Sequence, residues 1–372
     1  MNDASFLEIL SQWDGLGVVV RQDRPTGTWV FVAIHDDTLG PATGGLRMKV
    51  YDRPEDGLHD ALRLSEGMTL KWAAMDFPFG GGKTVLAIPR PLDEDERRGL
   101  MLRFGGLLNS LGGRYGTGAD LGTTTRDMQT IAEVSEFVIG VHGRSAGPMD
   151  PSPFTALGVF AGIRAAVEQR FGTSGLEGRR VLVEGVGSVG ASLARLLGDG
   201  GATVLVSDLD PTVADRIARS CCGSVIAPED VSSTECDVYA PCAVGATLNS
   251  RTIPVLACSI VAGAANNQLE EPGDAERLSA RGILYAPDYV INGGGAMAFT
   301  LIYQGLSPIA AVEERVVDIG QRLKAIFEES KRTGLSPVVV ARDRAEETLR
   351  RGPVDDGLST FGDIKGRFAG DH

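Results

Sequence analysis

Lys71 and Lys83 bracket the segment K-W-A-A-M-D-F-P-F-G-G-G-K, which is otherwise largely apolar and rich in glycine. Burying two ammonium groups near one another is costly unless an anionic ligand or a catalytic proton engages them. The competing reading is two surface lysines flanking a turn. A lysine of ordinary pKa, about 10.4, is a poor base at neutral pH, whereas a neighbouring cation and partial desolvation bring it toward about 7–8. The pair supplies that arrangement, with one lysine to clamp a carboxylate and the other to accept a proton. A third candidate is Asp120, in R-Y-G-T-G-A-D-L-G-T-T-T, which follows a strand-like run and precedes a helix. Carboxylates at such places either cap the helix or catalyse, and taken alone Asp120 reads as a cap.

The run Gly80-Gly81-Gly82-Lys83-Thr84 ends like a phosphate-binding loop, but that motif needs a further glycine where Phe77 stands. A complete nucleotide fingerprint lies downstream. Gly185-Val186-Gly187-Ser188-Val189-Gly190 follows the strand-like R-R-V-L-V-E and precedes the helical A-S-L-A-R-L-L. In a G-x-G-x-x-G of this setting Gly185 makes the tight turn, Gly187 admits a pyrophosphate and Gly190 allows close helix–sheet packing. The backbone N–H groups of Ser188 and Val189, opening the helix, would face the anion. Asp208 ends the second strand, T-V-L-V-S, about 20 residues past the glycines, where an acid accepts from ribose hydroxyls. A carboxylate there repels a 2′-phosphate, so NAD is favoured over NADP. Pro241-Cys242-Ala243, after another strand, falls where the crevice of such a sheet opens. A dehydrogenase acting on an amino acid must hold a carboxylate, remove a proton from an amine or water, and aim Cα–H at a nicotinamide; Lys71, Lys83 and the fingerprint meet those needs.

The elements that must position these groups are legible in outline. Strand signals at Val18–Val20, Trp29–Ile34, Leu46–Tyr51 and Thr84–Ile88 alternate with helical patterns near Glu55–Thr69, Asp93–Leu108 and Thr125–Val138. This reads as an N-terminal α/β domain. The Gly- and Pro-rich H-G-R-S-A-G-P-M-D-P-S-P marks a boundary near residue 148, after which Ser152 is expected to cap a long helix and Pro153 to sit in its first turn. Short β-branched runs at Val181–Val183, Val204–Val206, Val238–Ala240, Ile260–Ala262 and Ile283–Tyr285 suit strands buried on both faces of a parallel sheet. A long helical stretch follows Gly293–Gly295 to about Ser330, and a last one lies near Ala341–Leu349. The expected fold is therefore α/β: a substrate and oligomerisation domain over 1–148, joined by a C-terminal helix at about 336–355, a Rossmann NAD-binding domain over 149–335, and a polar tail at 356–372.

Composition narrows the function classes. The 372 residues are 43% hydrophobic and 23% charged, with a net charge of −13, which suits a soluble two-domain protein and argues against nucleic-acid or anionic-membrane partners. No apolar run approaches a membrane span, and the N-terminus lacks the basic start and apolar core of a secretion signal. The cysteines, Cys221, Cys222, Cys236, Cys242 and Cys258, have neither metal-ligand nor disulfide-framework spacing and read as reduced thiols of a cytoplasmic protein. The four histidines never pair at i, i+4, so no metal site is expected.

The segments L-G-P-A-T-G-G-L-R-M, A-L-R-L-S-E-G-M-T-L-K, F-G-G-G-K-T, T-G-A-D-L-G-T, V-A-G-A-A-N-N-Q-L and Y-A-P-D-Y-V-I-N-G-G-G together resemble the leucine/phenylalanine/valine dehydrogenase branch of the amino-acid dehydrogenase superfamily, which includes glutamate dehydrogenase. The resemblance runs from about Ala33 to about Gly295. It implies reversible oxidative deamination of an apolar L-amino acid to its 2-oxo acid and ammonia, in a homo-oligomer, at a cleft between the domains whose closure excludes water. By motif position, Lys71 would bind the substrate carboxylate, Lys83 would be the general base that activates water, and Asp120 would shuttle the amine proton. Gly44 would contribute backbone to the substrate site, Thr155 would hold the nicotinamide amide, and Asn266 and Asn292 would bond substrate or cofactor. Cys242 and Ala243 would border the dinucleotide. Side-chain specificity would fall to Thr43, Gly118, Ala296 and Phe299. The small residues Gly118 and Ala296 lean toward an aromatic, phenylalanine-like substrate, with leucine or valine the alternative. No lysine at these four positions offers a glutamate side chain a partner. A catalytically silent NAD-binding amino-acid sensor is the remoter alternative.

Overall fold

The computed structural model describes residues 5–139, 141, 150–303 and 308–353. It divides into two compact units: Met1–Met149 with Phe299–Gly305 and Ala345–His372, and Asp150–Ala298 with Leu306–Arg344. The expected linker at 142–149 and the tail at 356–372 lie outside the described residues.

Unit 1 is built on a five-stranded mixed sheet. After the short helix α1 (Phe6–Ser11) come β1 (Gly17–Asp23), β2 (Thr28–Asp36), β3 (Ala42–Val50), β4 (Gly80–Ile88) and β5 (Tyr115–Ala119), in the spatial order β1-β2-β4-β3-β5. β1, β2 and β4 pair antiparallel, whereas β3 runs parallel to both β4 and β5. Side chains alternate across the sheet. One face contributes Phe31, Ala33, Val85 and Ala87, which pack on Leu58, Ala61 and Leu62 of α2 (Pro54–Met75). The other contributes Val32, Leu46, Met48 and Leu86, which pack on Leu100, Met101 and Phe104 of α3 (Glu94–Ser110) and on Met128 and Ile131 of α4 (Thr125–Ala132).

Helix boundaries follow their caps. Pro54 opens α2 and Asp76, with φ 58°, ends it in the left-handed conformation. Asp93 with Glu96, and Thr124 with Asp127, form capping boxes on α3 and α4. The helix expected to reach Val138 stops at Ala132, because Val138 forms a β-bridge with Thr117 at the edge of the sheet.

The strand expected from Thr84 begins earlier: the glycines before Lys83 belong to β4, which is buried at every position from Gly80 to Ile88. They serve close approach rather than turning: a Cβ built on Gly81 would lie 1.9 Å from Thr69 Oγ1 and 2.3 Å from Thr69 N on α2. A phosphate-loop conformation is thereby excluded for this segment.

Unit 2 is a parallel sheet of β6 (Arg180–Glu184), β7 (Thr203–Ser207), β8 (Ser224–Val225), β9 (Cys236–Pro241), β10 (Cys258–Val261) and β11 (Leu284–Tyr285), in the order β11-β10-β9-β6-β7-β8. The order reverses between β6 and β9, the switch point of a doubly wound sheet. The expected strands are all present, and β8 is an addition too short to leave a periodic signal. Between or beside the strands run α5 (Ser152–Phe171), α6 (Ser188–Asp199), α7 (Pro211–Ser220), α8 (Asp274–Ala280), α9 (Asp288–Ile291), α10 (Gly294–Tyr303) and α11 (Ile309–Thr333). Ser152 does not cap α5: Pro151 is the N-cap residue, and the Asp150 carboxylate accepts the Ser152 N–H at 2.9 Å. The last helix, α12 (Pro337–Arg351), enters unit 1 at Ala345, which is buried against Leu39 and Ala73 with Leu70 and Leu349 alongside.

Candidate active site

The α2-side face of the unit 1 sheet changes character over the first halves of β3 and β4 and along β5. By alternation, Thr43, Gly45 and Arg47 of β3, Gly81 and Lys83 of β4, and Gly116 and Gly118 of β5 share that face, with Gly45 directly opposite Gly118. Asp120 follows β5 by one residue. Glycines strip the surface of side chains around two charged groups. Lys83, only 5% exposed, places Nζ 2.8 Å from Asp120 Oδ2.

The glycines are required for that contact, since a Cβ on Gly45 would lie 2.7 Å from Asp120 Cβ and 3.2 Å from Lys83 Nζ. Asp120 is fixed from behind as well, its N–H donating to Thr123 Oγ1, which in turn donates to the Leu46 carbonyl at 2.7 Å. It caps no helix: Thr124 does so for α4. Burial pushes the Asp120 carboxyl up, but Lys83 and then Arg47 outweigh it and hold the group down to about 2. Asp120 is therefore a carboxylate at working pH.

Arg47 is the residue that sequence reasoning missed. Its Nε donates to Asp120 Oδ2 at 3.0 Å and its Nη1 to Asp60 Oδ2 at 2.8 Å. Tyr51 Oη and Arg63 Nη2 complete the shell of Asp60 at 2.7 and 3.0 Å. Arg47 stands in a β-strand pattern, and its signal was a charge between buried Leu46 and Met48, on the same face as Gly45. An arginine thus shares the carboxylate that Lys83 holds. Tyr51, Asp60 and Arg63 line an open hollow of about 590 Å³, so this end of the network meets water.

Lys71 lies one turn before the end of α2 and is half-buried. The next residue, Trp72, donates from Nε1 to the Thr43 carbonyl at 3.1 Å, fixing this turn to β3. Thr43 is buried, and its hydroxyl donates to the Pro41 carbonyl at 3.3 Å. The Gly44 carbonyl accepts from Tyr115 Oη at 3.0 Å and Thr117 Oγ1 at 3.2 Å. At Gly118 a Cβ would meet nothing closer than the Ile139 carbonyl oxygen at 3.5 Å, so that position has room beside Thr43 and Gly45. Ala296 and Phe299 are both half-buried, one helical turn apart on α10.

In unit 2 the glycine fingerprint turns from β6 into α6. Gly185 has φ 83°, a left-handed conformation that disfavours any side chain, and a Cβ there would lie 2.5 Å from Ala243 Cβ. A Cβ on Gly190 would reach 2.0 Å from the Gly185 carbonyl oxygen and 3.4 Å from Cys242 Cβ. Gly187, the N-cap of α6, differs from both: nothing stands within 4 Å of its missing Cβ. That open space, with the N–H groups of Ser188 and Val189 at the helix start, fits a dinucleotide pyrophosphate.

Asp208 accepts the Val186 N–H at 2.9 Å and the Asp210 N–H at 3.0 Å, which sets its carboxylate beside the loop. Cys242 donates its N–H to the Glu184 carbonyl, and burial pushes its thiol up to about 12, so it is un-ionised there. Asn292, nearly buried, donates from Nδ2 to Asn266 Oδ1 at 2.8 Å and to the Ala264 carbonyl at 3.2 Å, while its Oδ1 is buried with no partner among the described residues. Thr155 Oγ1 donates to the Pro151 carbonyl, and a Cβ on Gly295 would lie 2.4 Å from it. Among the described residues no group of three or more His, Cys, Asp or Glu is placed to hold a metal, and no helix is long and apolar enough to cross a membrane.

Residues 19–136 match the family model of the Glu/Leu/Phe/Val dehydrogenase dimerisation domain, and residues 217–345 match that of glutamate/leucine/phenylalanine/valine dehydrogenase. The chain is 41% identical over 343 residues to leucine dehydrogenase of Bacillus cereus, spanning 92% of this chain and 93% of that protein. It is 44% identical over 319 residues to L-tryptophan dehydrogenase of Nostoc punctiforme, spanning 86% and 88%. The crystal structure of L-tryptophan dehydrogenase from Nostoc punctiforme matches with a TM-score of 0.79 at 38% identity, over 93% of this chain and 99% of that one.

Proposed function

Because the chain belongs to the glutamate/leucine/phenylalanine/valine dehydrogenase family and is an amino-acid dehydrogenase, we propose that it catalyses NAD-dependent oxidative deamination of an apolar L-amino acid, with a phenylalanine-like side chain preferred. The reaction converts amino acid, NAD⁺ and water into 2-oxo acid, ammonium, NADH and a proton. The observation that carries this reading is the buried Lys83–Asp120 pair, 2.8 Å apart on a sheet face cleared by glycines.

In this mechanism Lys71 holds the substrate carboxylate, and Asp120, a carboxylate at working pH, takes a proton from the substrate amine. Lys83 removes a proton from the water that adds at Cα. Bound NAD supplies the hydride acceptor. Gly185, Gly187, Ser188, Val189 and Gly190 would hold its pyrophosphate, with Cys242 and Ala243 backing the loop, and Asp208 would accept from its ribose. Thr155, Asn266 and Asn292 would hold the nicotinamide amide or the substrate. The orphaned Asn292 Oδ1 supports this assignment, because a buried acceptor gains most from a ligand's N–H.

Room at Gly118 and the small Ala296 support an aromatic side chain, as does the L-tryptophan dehydrogenase relative. A leucine- or valine-preferring enzyme is the second reading, favoured by the leucine dehydrogenase relative. We assign the catalytic and substrate-binding role to unit 1 and NAD binding to the Rossmann-type sheet of unit 2, in a cytoplasmic homo-oligomer. Steady-state kcat/KM for L-Phe, L-Trp, L-Leu, L-Val and L-Glu, followed by reduced-nicotinamide absorbance with NAD and NADP, tests the reading. It expects L-Phe first, L-Glu last and NAD over NADP. Apolar side chains in such pockets separate by only about 1–3 kcal/mol per methylene, so activities overlap among the first four. Binding without turnover across the panel would instead leave an amino-acid sensor.

A further inference from the structure

Arg47 and Lys83 donate to the same oxygen, Asp120 Oδ2, at 3.0 and 2.8 Å, and Oδ1 takes part in neither bond. The far end of the guanidinium is anchored on Asp60 at 2.8 Å, and Asp60 is held in turn by Tyr51 and Arg63. The titratable groups that interact with Asp120 from the surrounding elements include Lys83 of β4, Arg47 of β3, the buried phenol of Tyr115 on β5 and the phenol of Tyr51. Behind Arg47 stand Asp60 and Arg63 of α2, and Tyr51 just past β3.

A carboxylate bonded to a lysine alone favours the ammonium form, which is the wrong form for a base. A guanidinium stays charged at any working pH, so what it neutralises of Asp120 is withdrawn from Lys83. Asp60 acts in the opposite sense, because its charge offsets that of Arg47. The Lys83 side chain is only 7% exposed, so these influences are weakly screened.

We propose that Arg47, anchored by Asp60, is a positioning residue for the Lys83–Asp120 pair: it fixes the carboxylate and takes a share of the charge that Asp120 Oδ2 would otherwise turn on Lys83 alone. The proposal rests on the reading of Lys83 as general base. It is tested by the pH profile of kcat/KM with NAD and either L-phenylalanine or L-leucine, whichever turns over faster, in full-length protein. In Arg47→Met the acid limb moves to higher pH, by about one unit, and kcat falls more than KM rises. In Asp60→Asn the limb moves the other way, to lower pH, by less. Arg47→Lys restores the charge without the fork and returns part of the displacement.

General loosening of the site would lower rates at every pH without opposite displacements. A limb unmoved in both variants, or moved in the same direction in both, overturns the proposal. If Arg47→Met does not fold, Asp60→Asn decides: a downward displacement supports it, and an unmoved or upward limb overturns it. Lys83→Ala, measured alongside, separates the two readings. Full turnover there removes the base assignment and this proposal with it, whereas an inactive Lys83→Ala with an unmoved limb in the other variants removes this proposal alone.

Discussion

Asp120 carries the pair's electrostatics in a form that stability measurements can read. Its carboxyl is held down to about 2 in the folded chain because Lys83 and Arg47 outweigh its burial. A group depressed on folding contributes stability above its unfolded pKa, near 3.8, and that contribution is lost as pH falls through the folded value. The contribution is about 2 kcal/mol at neutral pH. In urea titrations Asp120→Asn is therefore less stable than the parent by a constant margin above about pH 5, and the margin shrinks between about pH 4 and 2; a margin that widens on acidification would contradict the ion pair. Gly118→Val should shift preference toward smaller side chains, with kcat/KM for L-Phe falling at least about tenfold relative to L-Val, because a Cβ there makes only ordinary van der Waals contact with Ile139, at 3.5 Å, and takes up space. An unchanged ratio would place the substrate side chain elsewhere. Lys83 and Asp120 were legible as residues because each sits in a motif whose glycines and threonines are unusual together. Arg47 was not, because a charged residue in a strand ordinarily signals a solvated face, and only register shows this one facing Asp120.

At the level of elements, both glycine clusters announced themselves, but only one announced its conformation. G-x-G-x-x-G sits between a strand and a helix, and the order of those neighbours dictates a turn; Gly185 duly has φ 83°. Gly185→Ala combines that strain with a Cβ 2.5 Å from Ala243. It should cost about 1–3 kcal/mol and weaken NADH binding measured by fluorescence at least about tenfold, while native affinity would mean that the loop does not cradle the dinucleotide. The triple glycine before Lys83 has the composition of a loop, yet it is the start of β4. The deciding fact is tertiary: α2 approaches so closely at Ser65 and Thr69 that no side chain fits at Gly81, and local composition holds no record of a helix passing overhead. The same limit hid the end of α4, where apolar periodicity runs on through Val138 but the chain leaves the helix to bridge β5.

Across the whole molecule, the Lys83–Asp120 pair and the glycine fingerprint fall to separate sheets with separate cores, one mixed and one parallel, and the proposed chemistry and cofactor binding divide with them. That division was visible from the change of punctuation along the chain, strands alternating with amphipathic helices before the Gly/Pro-rich stretch and short β-branched runs after it. Which parts of α10 and α12 belong to which unit was not, since helical periodicity is indifferent to the partner it buries against. The division implies that substitutions in one sheet can abolish turnover without touching nucleotide affinity. The most direct test is Lys83→Ala, assayed both for amino-acid-dependent NAD reduction and for NADH binding. The account predicts kcat lower by about a hundredfold or more with NADH affinity within about threefold of the parent. Turnover within a few-fold of the parent would contradict it.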